Sequence, residues 1–151
     1  MTDVHDERAL AALDRQIDEW LTSIAESMPV EAIERGEGDE RRWYVRLRGE
    51  DKDYTTVWLT LGQRTLRYEA YVMPAPEERA GELYEQLLRR NEKLVGAHFA
   101  IGVEDAVFLR GDLPNAALNE AELDRLIGTL YATVEQCFVG LLKIGFASRF
   151  A

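Results

Sequence analysis

Residues Tyr54–Met73, YTTVWLTLGQRTLRYEAYVM, constrain the fold more than any other stretch of the chain. Val57, Leu59 and Leu61 alternate with Thr56, Trp58 and Thr60, and Leu66, Tyr68, Ala70 and Val72 alternate with Arg67, Glu69 and Tyr71. Alternation with a period of two marks half-buried antiparallel strands, because successive side chains point to opposite faces of a sheet. Gly62-Gln63 between the two runs predicts a tight two-residue turn in which glycine takes the positive φ of the first position. A lone hairpin is barely stable in water, so the other elements are expected to cover its apolar face.

The flanking segments supply that cover. A strand is predicted over Trp43–Arg48, where Trp43, Val45 and Leu47 alternate with Tyr44, Arg46 and Arg48. With the hairpin it makes a three-stranded meander, which Pro74 and Pro76 stop because proline cannot donate to a ladder. Two shorter strands, Ala97–Val103 and Ala106–Asp112, are expected around a Glu104-Asp105 turn. Three amphipathic helices follow from three-and-four spacing: Glu7 to Met28, Glu77 to Leu94, and one capped by Asn119 and Glu122 that runs to Gly145. Residues 1–7 read as a frayed tail and residues 30–42, with Gly36 and Gly38, as a charged loop. The expectation is one α+β domain over residues 1–151, in the order α-β-β-β-α-β-β-α, with a five-stranded antiparallel sheet covered by helices on one face.

Charge narrows the class of partner. The formal net charge of the 151-residue chain is −10, which argues against broad binding to nucleic acid or an anionic membrane. Residues 1–40 carry 12 acidic and 3 basic side chains, residues 41–73 carry 4 and 7, and residues 74–151 carry 12 and 8. The meander is thus a basic island in an acidic protein. The single cysteine, Cys137, cannot form an intramolecular disulfide, the acidic start MTDVHDERAL lacks a secretory layout, and no apolar run is long enough to cross a bilayer. A cytoplasmic location is the simplest expectation.

No constellation for catalysis is legible. His5, His98 and Cys137 are widely spaced, and Cys137 lies near the apolar stripe of the last helix, as an inert core thiol would. The acidic clusters lack a calcium-loop pattern, and Gly36 and Gly38 do not open a helix after a strand as a phosphate loop requires. No enzyme activity, cofactor or metal is expected.

Several stretches carry a resemblance: WYVRLRG, VWLTLGQRTLRYEAYVMPAP, LYEQLLRRN and LDRLIGTLYATVEQCF resemble YbjN-type bacterial proteins, described as sensory transduction regulators with a type III secretion chaperone-like fold. The resemblance spans roughly residues 10–146 and rests on structural positions. It implies a helix-covered antiparallel sheet, a homodimer in the manner of secretion chaperones, and protein binding in place of catalysis. It assigns no individual residue.

The candidate site comes from the alternation itself. If the aliphatic set faces the helices, Tyr44, Arg46, Trp58, Arg67, Tyr71, Phe108 and Arg110 share the opposite face, inside the basic island or beside it. Tyrosine, tryptophan and arginine dominate binding hot spots, and the same residues also stabilise a solvated sheet by cross-strand pairing. Both readings are open from sequence. A protein-binding module, chaperone-like or regulatory, is the function expected, with neither nucleic acid nor membrane as partner. The alternative is a small-molecule sensor whose pocket, between helices and sheet, is lined by Trp20, Tyr68, Tyr84 and Tyr131.

Overall fold

The computed structural model describes residues 5–150. Helix α1 (Glu7–Ile24) leads into strands β1 (Val30–Arg35), β2 (Arg41–Arg48), β3 (Tyr54–Leu61) and β4 (Thr65–Met73). Helix α2 (Ala80–Asn91), strands β5 (His98–Ile101) and β6 (Val107–Pro114), and helix α3 (Glu120–Gly145) complete the main elements. Met1–Val4 of the expected tail lie outside the described residues. Its remainder is ordered: Asp6 caps α1 by accepting the Ala9 N–H at 2.8 Å, and the His5 N–H donates to the Gln63 carbonyl at 2.7 Å.

All strands form one sheet in the order β1-β2-β3-β4-β6-β5, with every neighbour antiparallel. It has six strands, not five. The extra strand, β1, occupies the first half of the expected charged loop, and Gly36–Glu40 is the turn that joins it to β2. A register shift between Val30 and Ala32 breaks the alternation of VEAIER, so the periodic signal is lost there.

The inward set is as the alternation requires. Trp43, Val45, Leu47, Val57, Leu59, Leu66 and Tyr68 form one apolar cluster with Ile17 and Leu21 of α1, Leu83 of α2, and Leu123, Ile127 and Leu130 of α3. All three helices therefore lie against the same face of the sheet. Asn119 accepts the Glu122 N–H at 2.9 Å, which sets the start of α3. The helices α1 and α2 are shorter than their apolar stripes suggest, ending at Ile24 and Asn91.

Two turns differ in detail. The Gly62 N–H donates to the Thr65 carbonyl at 2.9 Å, so the β3–β4 turn is centred on Gln63-Arg64 and Gly62 ends the strand. Among the described residues the glycines with positive φ are Gly38 and Gly96, not Gly62. The β5–β6 turn does fall at Glu104-Asp105, with φ of 58° and 59°. Two left-handed residues in succession are the geometry of a type I′ hairpin turn, here taken without glycine or asparagine.

The acidic side of α1 is not simply solvated. Asp14, 8% exposed, receives Arg35 at 2.8 and 3.0 Å and Arg41 at 2.7 Å. Arg35 and Arg41 are the last residue of β1 and the first of β2, so one carboxylate holds the mouth of that hairpin to the helix. Asp18 takes the indole N–H of the fully buried Trp43 at 2.7 Å. Hydrogen bonding from Arg35 first, and from Arg41, keeps the Asp14 carboxyl below its ordinary range against the opposing effect of burial. A group depressed in this way stabilises the fold fully above its unfolded pKa, about 4, and loses that effect as pH falls through the lower folded value. Asp14→Asn is therefore expected to cost about 1–3 kcal/mol in urea unfolding at neutral pH, with the gap to the native chain closing below about pH 4.

Candidate functional site

The uncovered face of the sheet is built from the residues that alternate with the core. Register carries one row across all six strands: Glu34, Tyr44, Trp58, Glu69, Arg110 and His98, each paired with the next. On one side of it runs Arg42, Thr60, Arg67 and Asp112. On the other lie Arg46 paired with Thr56, and Tyr71 paired with Phe108. Every sequence-predicted site residue is thus on this face, and the six-strand row ties them into one surface.

The aromatic rings meet edge to face, with centroids 5.5 Å apart for Tyr44 and Trp58 and 5.6 Å for Tyr71 and Phe108. Edge-to-face contact sets the positive ring edge against the negative ring face. Cations cover the outer surfaces. Arg46 lies 4.2 Å from the Tyr54 ring, Arg42 5.9 Å from Trp58, and Arg110 4.5 Å from Phe108. Arg110 also donates to Glu69 at 2.7 Å. Phe108 consequently faces outward yet is only 6% exposed, roofed by the guanidinium; Tyr71, at 39%, is open. Arg67 has no ion-pair partner among the described residues.

Three hollows open on this face. Trp58, Tyr71 and Phe108 form the aromatic wall of one of about 240 Å³, closed by Pro74, Val103, Ala106 and Glu104 from the neighbouring turns. Another, of about 200 Å³, is polar and lies between Arg67, His98, Arg110 and Asp112. The third, of about 320 Å³, lies between Glu34, Tyr44, Arg46 and Thr56. Burial, and then the charge of Glu104, push the Tyr71 hydroxyl above its ordinary pKa.

Sequence reasoning missed how the loop after β2 is held beside the face. Glu135 of α3 accepts the backbone N–H groups of Glu50, Asp51 and Lys52 at 3.0, 3.1 and 3.3 Å, and the Tyr131 hydroxyl donates to the Arg48 carbonyl at 2.7 Å. A Cβ on Gly49 would stand 2.1 Å from the Lys52 carbonyl oxygen, so the close approach needs glycine. The docked loop holds the Lys52 ammonium 5.8 Å from the Tyr71 ring and 2.8 Å from the Tyr54 carbonyl. Burial lowers the Lys52 pKa, with Glu135 and Asp53 opposing. No sequence signal marks Glu135, because its partners are backbone groups distant in the chain.

The other candidate chemistries are dispersed. Cys137 is buried in the core, its thiol pushed up to about 11 by burial. Among the described residues no group of three or more His, Cys, Asp or Glu could hold a metal ion, and no helix is long and apolar enough to cross a membrane. Trp20, Tyr68, Tyr84 and Tyr131 are used in separate places. Trp20 packs on the core, the Tyr68 hydroxyl donates to the Gly96 carbonyl at 2.5 Å, Tyr131 holds Arg48, and Tyr84 borders a groove at the sheet edge.

The fold is that of a small α+β protein whose antiparallel sheet is helix-covered on one face and open on the other. The chain belongs to the YbjN family, whose description is "Putative bacterial sensory transduction regulator" and whose profile matches residues 12–143. An uncharacterized protein of Mycobacterium tuberculosis (strain H37Rv) is 34% identical over 104 residues, and one of Mycobacterium leprae is 32% identical over 107. These matches cover 69% and 71% of this chain but only 57% and 58% of the relatives, so the chain spans little more than half their length. A chain of the heterodimeric complex ExoU-SpcU from the type III secretion system of Pseudomonas aeruginosa shares the fold, with a TM-score of 0.56 and 16% identity. That match covers 83% of this chain and 96% of the other.

Two outcomes are expected from this geometry. Glu135→Ala leaves three loop N–H groups without acceptors, and their hydrogen exchange should accelerate by about tenfold or more while the core amides keep their protection. Glu104→Asn with Asp105→Gly relieves the left-handed strain and should raise stability by about 1 kcal/mol, read as a higher urea midpoint.

Proposed function

We propose that the chain is a non-catalytic protein-binding module, chaperone-like or regulatory, that works in the cytoplasm and engages its partner through the uncovered face of the sheet. One observation carries this reading: a face with no helix over it presents tyrosine and tryptophan in cross-strand contact, ringed by arginines, with an aromatic hollow at one end of it. Large rings with few torsions lose little entropy on binding, and arginine adds planar hydrogen bonding, which is why these types recur at hot spots. The left-handed Glu104-Asp105 turn supports it, since local rules are broken most often where function requires. Family membership agrees with a regulatory role, and the likeness to a chain of a two-protein complex is one of fold.

The functional unit proposed is a homodimer, which light scattering on the purified chain tests directly. The face is tested by replacing Trp58 and Arg67 together with alanine. Both side chains lie outside the apolar core, so the melting profile should be retained. Partner recovery by the immobilised chain should fall by about thirtyfold, the loss of roughly 2 kcal/mol expected for hot-spot residues. Undiminished recovery removes the face from consideration.

A further inference from the structure

The sheet has two edges, and they are finished differently. An unpaired edge is a template for another strand unless charge or a bulge blunts it. β1 is blunted in both ways: it carries a register shift, Glu31 is bound by Arg48 and Arg46, and Arg35 is bound by Asp14. β5 reads His98-Phe99-Ala100-Ile101, with no acid, lysine or arginine and no bulge. Beside it, on the helix-covered side, a groove of about 240 Å³ runs between α2 and the strand, walled by Tyr84 and Leu88 and by Phe99 and Ile101. Leu88 is 70% exposed and Ile101 50%, so apolar surface stands open on both sides of the groove.

The strand's hydrogen bonding fixes what the groove can accept. The Gly102 N–H crosses to the Ala106 carbonyl, so residues 98, 100 and 102 point their peptide groups at β6 and residues 99 and 101 point theirs outward. At Phe99 the outward pair is taken by the Asn91 side chain, which accepts the N–H at 2.6 Å and donates to the carbonyl at 3.2 Å. The asparagine amide thus stands where a peptide group of a seventh strand would stand. At Ile101, two residues on, nothing from α2 fills the equivalent place. Charge completes the specification. Glu82 and Glu85 lie within ion-pair distance of Arg79 and Arg89, whereas Arg90 and Lys93, which border the next groove beside Phe99, have no ion-pair partner among the described residues.

We infer that this groove binds an extended segment of a partner protein by strand addition at β5. The segment continues the ladder that the Asn91 amide begins, drops alternate apolar side chains between Leu88 and Ile101, and carries a carboxylate for Arg90 and Lys93. A second copy of the chain fits less well, because its β5 brings no carboxylate to these cations.

The test is selection of random short peptides displayed on phage against the full chain, followed by fluorescence anisotropy of the enriched peptides. Enriched sequences should share two apolar residues separated by a single position and an aspartate or glutamate nearby. Leu88→Glu changes an exposed side chain and should weaken those peptides about tenfold or more, with an unchanged melting profile; Trp58→Ala, on the other face, should leave them unaffected. Arg90→Glu with Lys93→Glu should weaken them and shift renewed selection toward basic peptides. The inference is overturned if no peptide is enriched over the bare support, if Leu88→Glu leaves affinity unchanged, or if Leu88→Glu instead converts a dimer to a monomer. Because Trp58 serves as the control, failure here is distinct from failure of the uncovered face.

Discussion

Alternate side chains of all the strands are pressed into one layer beneath three helices, and much of the rest follows from that one-sided burial. Trp43 shows how completely the layer is closed. Its ring is fully buried, its indole N–H is spent on Asp18, and the Arg35 guanidinium lies 4.3 Å from the ring centroid. Burying an indole N–H without a hydrogen-bond partner would cancel about 1–3 kcal/mol of what burying the ring contributes, so the acid on α1 and the tryptophan on β2 act as a pair. Asp14, one helical turn earlier, does the same for two arginines. The acidic first helix and the basic meander, so unequal in charge along the chain, meet here as the two halves of one contact.

With all three helices on one side, the other face has only its own side chains to settle it. Cross-strand pairing does this in a regular way. Rings meet edge to face within a pair, guanidinium groups cover the rings, and Glu69 neutralises Arg110 at the centre. Such a surface is ordered before anything binds it. The loop after β2 adds to that order, since Glu135 on α3 fixes three of its N–H groups and so sets Lys52 against Tyr71. A face whose side chains are already held loses less entropy on association than one that must be immobilised by its partner.

The two faces of the meander were legible because a strand's period is two wherever pairing is regular: Val57, Leu59 and Leu61 went inward, and Tyr44, Trp58 and Tyr71 outward. Where regularity fails, the signal fails with it. The bulge at Glu31 puts two residues of β1 against one position of β2, so VEAIER shows no clean alternation and its charges read as a loop. Nothing in the sequence marks Asp14, because its partners are 21 and 27 residues away, beyond any helical spacing. Phe108 was placed on the correct face, but its roofing by Arg110 depends on side-chain torsions that composition does not carry. The groove at β5 is further still from sequence. It exists because α2 stops at Asn91 and lies at a particular distance from a strand that is itself only four residues long.

That strand separates the two candidate surfaces and also joins them. Phe99 and Ile101 face the groove, while His98 and Ala100 face the open side, His98 ending the row that runs through Trp58 and Arg110. A segment added at β5 would have its own alternate side chains on both sides of the sheet. Those on the helix side would fill the groove, and the others would extend the six-residue row by one position, next to His98 and the polar hollow containing Arg67. Occupancy of the edge would therefore enlarge the uncovered face with residues supplied by the partner, without any movement of the core. Coupling of this kind needs no conformational change, only the shared register of a single ladder.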